Sequence, residues 1–147
     1  MKIVLGSDHC GYELKKRLLP VLSEKYEVID CGCHSTDPVD FPDVAMEVCD
    51  KILKNEAERG IMFCGTGVGA AIACNKVKGI RASLCHDAYS AHQCVEHDDV
   101  QVITMGHQII GHLLAEELID IFLHAQFSTG EEFHRRVQKL ENMDSRR

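Results

Sequence analysis

Ile61-Met62-Phe63-Cys64-Gly65-Thr66-Gly67-Val68-Gly69 is the stretch whose reading decides the fold. A short apolar run ending at Cys64 reads as a buried strand, the glycines that follow read as a tight turn, and the small residues Ala70, Ala71 and Ala73 read as a closely packed helix. Strand, turn and helix in that order are half of a βαβ unit. Working outward, the same alternation predicts strands over 2–6, 26–30, 60–64, 80–84 and 100–104, with helices between them, which is the pattern of an α/β fold with a five-stranded parallel sheet between helical layers. Leu14, Leu18 and Leu22 mark the buried stripe of the first helix, which Pro20 is expected to kink or end. Asp40 and Pro42 open the second, with Val44, Val48 and Ile52 as its stripe. Ile109, Ile110, Leu113, Leu114, Leu118 and Phe122 give the helix expected to be longest a face wide enough for both the sheet and a partner subunit. Beyond Gly130, Phe133, Val137 and Leu140 recur at helical spacing, so residues 130–147 are expected to form a C-terminal helix or tail lying across a neighbouring subunit.

The 147 residues suit one domain, and no internal repeat or linker divides it. Hydrophobic residues make up 45% and charged residues 27%, with no apolar run near the ~20 residues of a membrane span, so membrane insertion is not expected. The N-terminus turns polar too early for a secretion signal, which together with eight dispersed cysteines read as reduced thiols points to the cytoplasm. A net charge of -7 argues against nucleic acid as a partner, and Lys15-Lys16-Arg17 amounts to one basic turn of helix.

In parallel sheets ligands bind beyond the carboxyl ends of the strands, so the loops after each strand are where chemistry is sought. Glycines at 65, 67 and 69 let backbone N–H groups converge on an anion, and the first turn of the following helix adds partial positive charge. A thiol held there is expected to ionise more readily than a free cysteine. Cys64 is therefore read as a general base beside a nest of donors, the equipment needed to move a proton between adjacent carbons of a sugar. Thr66 can hydrogen-bond the thiolate or stabilise the turn. Gly6-Ser7-Asp8-His9 follows the first strand and brings an acid, an imidazole and a hydroxyl to the same sheet edge. His97 lies in Glu96-His97-Asp98-Asp99, where adjacent acids are expected to favour its protonated form. Metal is not expected at His92 and His97, since i, i+5 spacing faces them apart on a helix. Gly65-x-Gly67-x-x-Ala70 with Asp87 meets a loose dinucleotide fingerprint, but it follows the third strand rather than the first, and too little chain remains for two domains.

Several segments together resemble ribose-5-phosphate isomerase B and its relatives, the galactose-6-phosphate isomerase subunits. They are Gly6-Ser7-Asp8-His9-x-Gly11-Tyr12, Asp40-Phe41-Pro42, Cys64 to Gly69, Asn75-Lys76-Val77-x-Gly79-Ile80-Arg81-Ala82, Tyr89-Ser90-Ala91 and Glu96-His97-Asp98-Asp99. The resemblance implies a Rossmann-like sheet in a homodimer or homotetramer, an active site between subunits, a small sugar phosphate as substrate, and neither cofactor nor metal. It makes Cys64 the base that shuttles a proton between C1 and C2 through a cis-enediol, with Thr66 assisting, and makes His97 of the neighbouring subunit the group that opens the furanose ring. Asp8, His9, Gly65, Gly67, Val68, Gly69, Asp98, Gln108 and Arg136 are the expected substrate contacts. Ribose 5-phosphate and ribulose 5-phosphate are the leading pair, with a hexose 6-phosphate or tetrose 4-phosphate, or a non-catalytic nucleotide-binding module, as alternatives.

The chain departs from the family pattern at named positions. Phe41 stands where an aromatic hydroxyl precedes the proline, and Asp98 where asparagine follows the histidine. In Gly106-His107-Gln108-Ile109-Ile110-Gly111 the expected arginine is Gln108, and Phe133-His134-Arg135-Arg136 keeps the second arginine of a C-terminal pair while losing the first. Those arginines serve the phosphate end of the family's site, where each charged hydrogen bond contributes about 1.5–3 kcal/mol. Either His107, His134, Arg135 and Arg136 rebuild the anion site, or the substrate differs in length or lacks a phosphate there.

Overall fold

A computed structural model describes residues 1–147. The elements run β1 (Lys2–Ser7), α1 (Tyr12–Lys25), β2 (Glu27–Asp30), α2 (Phe41–Leu53), β3 (Arg59–Cys64), α3 (Val68–Lys76), β4 (Ala82–Leu84), α4 (Ala88–Asp98), β5 (Val102–Gly106), α5 (His112–His124) and α6 (Glu131–Asp144). All five strands are parallel, in the order β2-β1-β3-β5-β4. Alternate residues of a strand point to opposite faces, and this sorts the core into two layers. Ile3, Leu5, Ile61, Phe63, Ile103 and Met105 pack with Leu14, Leu18 and Leu22 of α1 and with the buried faces of α4 and α5. Val4, Met62, Cys64 and Val102 pack on the other face against Val44, Val48 and Cys49 of α2 and Ala70 and Cys74 of α3. The Cys64 side chain thus belongs to the α2/α3 side of the sheet.

Several expectations need correction. The first helix runs through Pro20 to Lys25. Pro20 and Lys16, whose bond the proline forfeits, are both exposed, while the leucine stripe on the opposite side is buried along its whole length and outweighs the loss. Strands β4 and β5 begin later than expected: Gly79 (φ +88°) and Asp99 (φ +49°) turn the chain just before them, and the Gln101 side chain accepts from the Arg81 N–H and donates to the Gly79 carbonyl. At 13 residues α5 is shorter than α1 and α6 at 14, because Ile109 and Ile110 belong to the turn before it. Leu118 and Phe122 are fully buried, whereas Leu113 is 72% exposed. The C-terminal segment does form a helix, α6, and within the chain Val137 is buried, the Asp144 carboxylate accepts from the Gly79 N–H, and Arg147 donates to the Asn75 carbonyl. Lys15, read as part of a basic turn, is 1% exposed; its ammonium donates to Asp30 Oδ1 at 2.5 Å and to the carbonyls of Cys31 and Cys33. All eight cysteines are free thiols, and no helix is long and apolar enough to cross a membrane.

Candidate active site

In the strand order, the chain leaves β1 toward β2 on one side while β3 leads to β5 and β4 on the other, which opens a crevice beyond the carboxyl ends of β1 and β3. Register pairs Ser7 with Phe63 and Cys64 with Gly106, so Asp8 and Cys64 come out side by side. The Asp8 N–H donates to the Phe63 carbonyl at 3.2 Å, and Asp8 Oδ1 accepts from the Gly11 N–H at 3.0 Å. The Cys64 thiol donates to Asp8 Oδ2 at 3.2 Å. This approach requires glycine at 11, where a Cβ would lie 2.3 Å from the Phe63 carbonyl group. At the far side of the loop Gly67 takes φ +81°, and a Cβ there would meet Leu84 at 2.7 Å.

Geometry reverses the expectation that the thiol is acidic. Burial pushes the Cys64 thiol above its ordinary value, and the hydrogen bond and charge of Asp8 push the same way; the N–H groups of Gly67 and Gly65 oppose them without prevailing. The consequence is a sulfur that is less often ionised at neutral pH but a stronger base once it is.

The other expected residues of this edge are close by. The exposed Thr66 accepts from the Val68 N–H at 3.3 Å, so its hydroxyl serves the turn. Val68 is 48% exposed at the first turn of α3. Phe41 lies over Gly69, where a Cβ would meet its ring at 2.9 Å. Gln108 covers Gly65, with its amide 3.4 Å from where a Cβ would be, and its own N–H donates to the Gly65 carbonyl. His9 Nδ1 accepts from the Val39 N–H at 3.2 Å, which ties it to the loop before α2.

His97, Asp98 and Arg136 are elsewhere. Helix α4 starts just beyond the carboxyl edge and runs 11 residues back, about 16 Å, to finish beside the start of β5. His97 stacks on Phe133 of α6, with ring centroids 4.3 Å apart, and the Arg136 guanidinium lies 5.6 Å from the same phenyl ring. Two of the neighbouring acids, Glu96 and Asp99, pair with side chains other than the imidazole, and at Asp98 it is the backbone carbonyl that is engaged. Glu96 pairs with His92 at 2.8 Å, the Asp98 carbonyl accepts from Arg81, and the Asp99 carboxylate pairs with Arg81 at 2.9 Å. One chain therefore carries two groups of expected site residues at opposite sheet edges.

Two further polar residues hold the carboxyl edge. His86 Nε2 accepts from the Gly106 N–H at 2.9 Å, and burial lowers its pKa, favouring the neutral ring this bond needs. It follows β4 almost directly, so the search of post-strand loops could have found it. Thr104 Oγ1 donates to the Gly67 carbonyl at 2.9 Å and pins the glycine turn; inside a strand, threonine carries no such signal. Clefts of 550, 520 and 340 Å³ mark the single chain, and Cys64 lines none of them. Asp8, His9 and Cys10 each offer a donor atom within 4.8 Å of the others, a mixed carboxylate, imidazole and thiol group at the same edge.

Residues 3–140 match the sequence profile of the family described as Ribose/Galactose Isomerase. The chain is 41% identical to Ribose-5-P isomerase B of Listeria innocua, over 99% of each chain. It is 39% identical to D-erythrulose-4-phosphate isomerase 2 of Mycolicibacterium smegmatis, over 86% of each. Among solved structures, ribose-5-phosphate isomerase B of Clostridium thermocellum superposes with a TM-score of 0.96 at 41% identity, covering 99% of both chains. Five parallel strands in this order, the thiol and carboxylate paired at their switch point, and likeness along nearly the whole chain converge on one conclusion: the protein belongs to the ribose/galactose isomerase family.

Proposed function

We propose that the protein is an aldose-ketose isomerase that interconverts ribose 5-phosphate and ribulose 5-phosphate through a cis-enediol. The observation that carries the chemistry is the Cys64 thiol, hydrogen-bonded to Asp8 at the mouth of the glycine loop. Asp8 takes the thiol proton, and the sulfur, made strongly basic by its surroundings, removes the hydrogen on C2 of the open-chain aldose. Charge that develops on the substrate oxygens is met by the loop N–H groups from Gly65 to Gly69, which are already oriented and cost no reorganisation. Return of that proton to C1, with transfer of the O2 hydroxyl proton to O1, completes the ketose, and Asp8 then gives its proton back to the sulfur. Thr66 keeps the loop in shape, and Asp8, His9, Gly65, Gly67, Val68, Gly69 and Gln108 line the sugar's path.

The opposite edge of a second copy supplies the rest: His97 to open the furanose ring, Asp98 to hold a hydroxyl and Arg136 to meet the phosphate, in a homodimer or homotetramer. The separation of His97 from Cys64 within one chain supports this sharing, as do the exposed Leu113 and Leu114 on α5. Eight free thiols suit the reducing cytoplasm.

Incubation with a panel of aldose phosphates in deuterated water tests the reading. Ketose formation with label at the exchanged carbon is expected, surviving EDTA and lost in Cys64→Ala. Tight nucleotide binding without exchange on any sugar would overturn it. A shorter substrate, a tetrose 4-phosphate, is the second reading, favoured by Gln108 and Phe133 at positions where the family pattern has arginine. Comparison of kcat/KM for the four- and five-carbon phosphates decides between them.

A further inference from the structure

Cys10 has no part in the chemistry proposed above, yet it sits beside it. The sequence Asp8-His9-Cys10-Gly11 carries the chain over the carboxyl edge from β1 into α1. One carboxylate oxygen, one imidazole nitrogen and one sulfur from these three residues lie within 4.8 Å of one another. Asp8 is buried, while His9 and Cys10 are partly open to solvent, so the group has a fixed base and an accessible mouth. The backbone beneath it is held by the Gly11 N–H bond to Asp8 Oδ1 and by the bond from the Val39 N–H to His9 Nδ1. The latter is compatible with a neutral imidazole whose Nε2 is a ligand and whose Nδ1 is oriented by a second group, the usual arrangement at metal-bound histidines. Mixed oxygen, nitrogen and thiolate donors suit zinc and other thiophilic divalent ions, and do not suit magnesium or calcium.

We infer that Asp8, His9 and Cys10 form an inhibitory binding site for a thiophilic divalent cation, with zinc as its representative, whose occupancy stops isomerisation. On binding, the Cys10 thiol releases its proton to solvent and its sulfur bonds the metal; nothing is oxidised or reduced. The same carboxylate is the partner of the Cys64 thiol, so an ion there takes the acceptor that Cys64 needs for its proton and stands in the sugar's path. Part of this consequence rests on the proposed role of Cys64; the binding site itself does not.

Zinc sulfate titrated into the full-length enzyme is expected to inhibit at one ion per chain, reversibly with EDTA. Cobalt(II) bound in its place is expected to show a thiolate-to-metal charge-transfer band. Cys10→Ser should weaken zinc binding by more than about tenfold, the loss seen when even an outer partner of a metal ligand is removed. It should also abolish the cobalt-thiolate band and relieve inhibition while leaving zinc-free turnover intact. Cys64→Ala, inactive on the reading above, should keep the band, because its sulfur is not the ligand. The inference is overturned if Cys10→Ser binds and responds to zinc like the parent, if the band disappears in Cys64→Ala instead, or if no zinc binds at equimolar concentration. The cobalt spectrum needs no turnover, so its outcome stands even if the isomerase assignment fails.

Discussion

At the carboxyl edge of the sheet, backbone hydrogen bonds from the ends of β1, β3 and β5 hold Cys64, Asp8 and the glycine loop; at the other edge His97 rests on one ring stack with Phe133. The first region is built from elements that are adjacent in the fold, so a single chain can complete its geometry. Its counterpart depends on α6 lying against α4, and its groups sit at the far end of α4 from the thiol they are expected to serve. On the proposed function these are two halves of one catalytic apparatus, the first tied to the strand ends and the second held by α6 packing on α4, which a second copy would bring together.

The largest effects should come from testing whether the halves belong together. Cys64→Ala and His97→Ala are each expected to lower turnover by about 10²–10⁴-fold, the usual contribution of a general acid or base. Mixing the two inactive variants and letting subunits exchange should restore about a quarter of parental activity, since half the dimers are mixed and each carries one intact site. No recovery after confirmed exchange would place both groups in one chain's site. Next in size is Lys15→Met, which leaves Asp30 and the carbonyls of Cys31 and Cys33 without their buried cation. A loss of about 3–5 kcal/mol in urea unfolding is expected; a loss under 1 kcal/mol would show that the rigid edge does not need this anchor.

Gln108→Arg sharpens the comparison from the substrate side. A guanidinium beside Gly65 should strengthen phosphate binding by about 1.5–3 kcal/mol, seen as a KM lowered roughly tenfold or more for phosphorylated sugars and unchanged for free ones. An equal change for both would mean that the residue contacts the sugar. The smallest effect concerns the raised thiol. Because burial and Asp8 both disfavour the thiolate, kcat/KM should keep rising with pH beyond the ordinary thiol range. Asp8→Asn removes only the carboxylate's share, so the Cys64 titration should move to lower pH and alkylation by iodoacetamide at pH 7 should quicken, even as turnover falls. Slower alkylation would reverse the assigned sign.

Much of the carboxyl edge was legible in the chain itself. Glycine spacing after an apolar run is local chemistry, and it marked Cys64, the loop and α3; the position of Asp8 after β1 followed from the rule that parallel strands present their ends together. Pro20 misled because a local preference was outweighed by leucines packed along the opposite face of the helix. The acids flanking His97 show that neighbours in sequence need not be partners in space: Arg81, brought up by the turn before β4, pairs with the Asp99 carboxylate, and His92 pairs with Glu96.

By itself, then, the sequence determined the α/β alternation, the buried stripes and the glycine turn that follows Cys64, since each depends on residues within a few positions of one another. Only the tertiary structure decided that Cys64 shares its proton with Asp8, that its pKa rises rather than falls, that Lys15 is buried, and that His97 lies a helix length away. Those outcomes depend on burial and on contacts between segments distant in the chain, and desolvation there outweighs the pull of nearby amides.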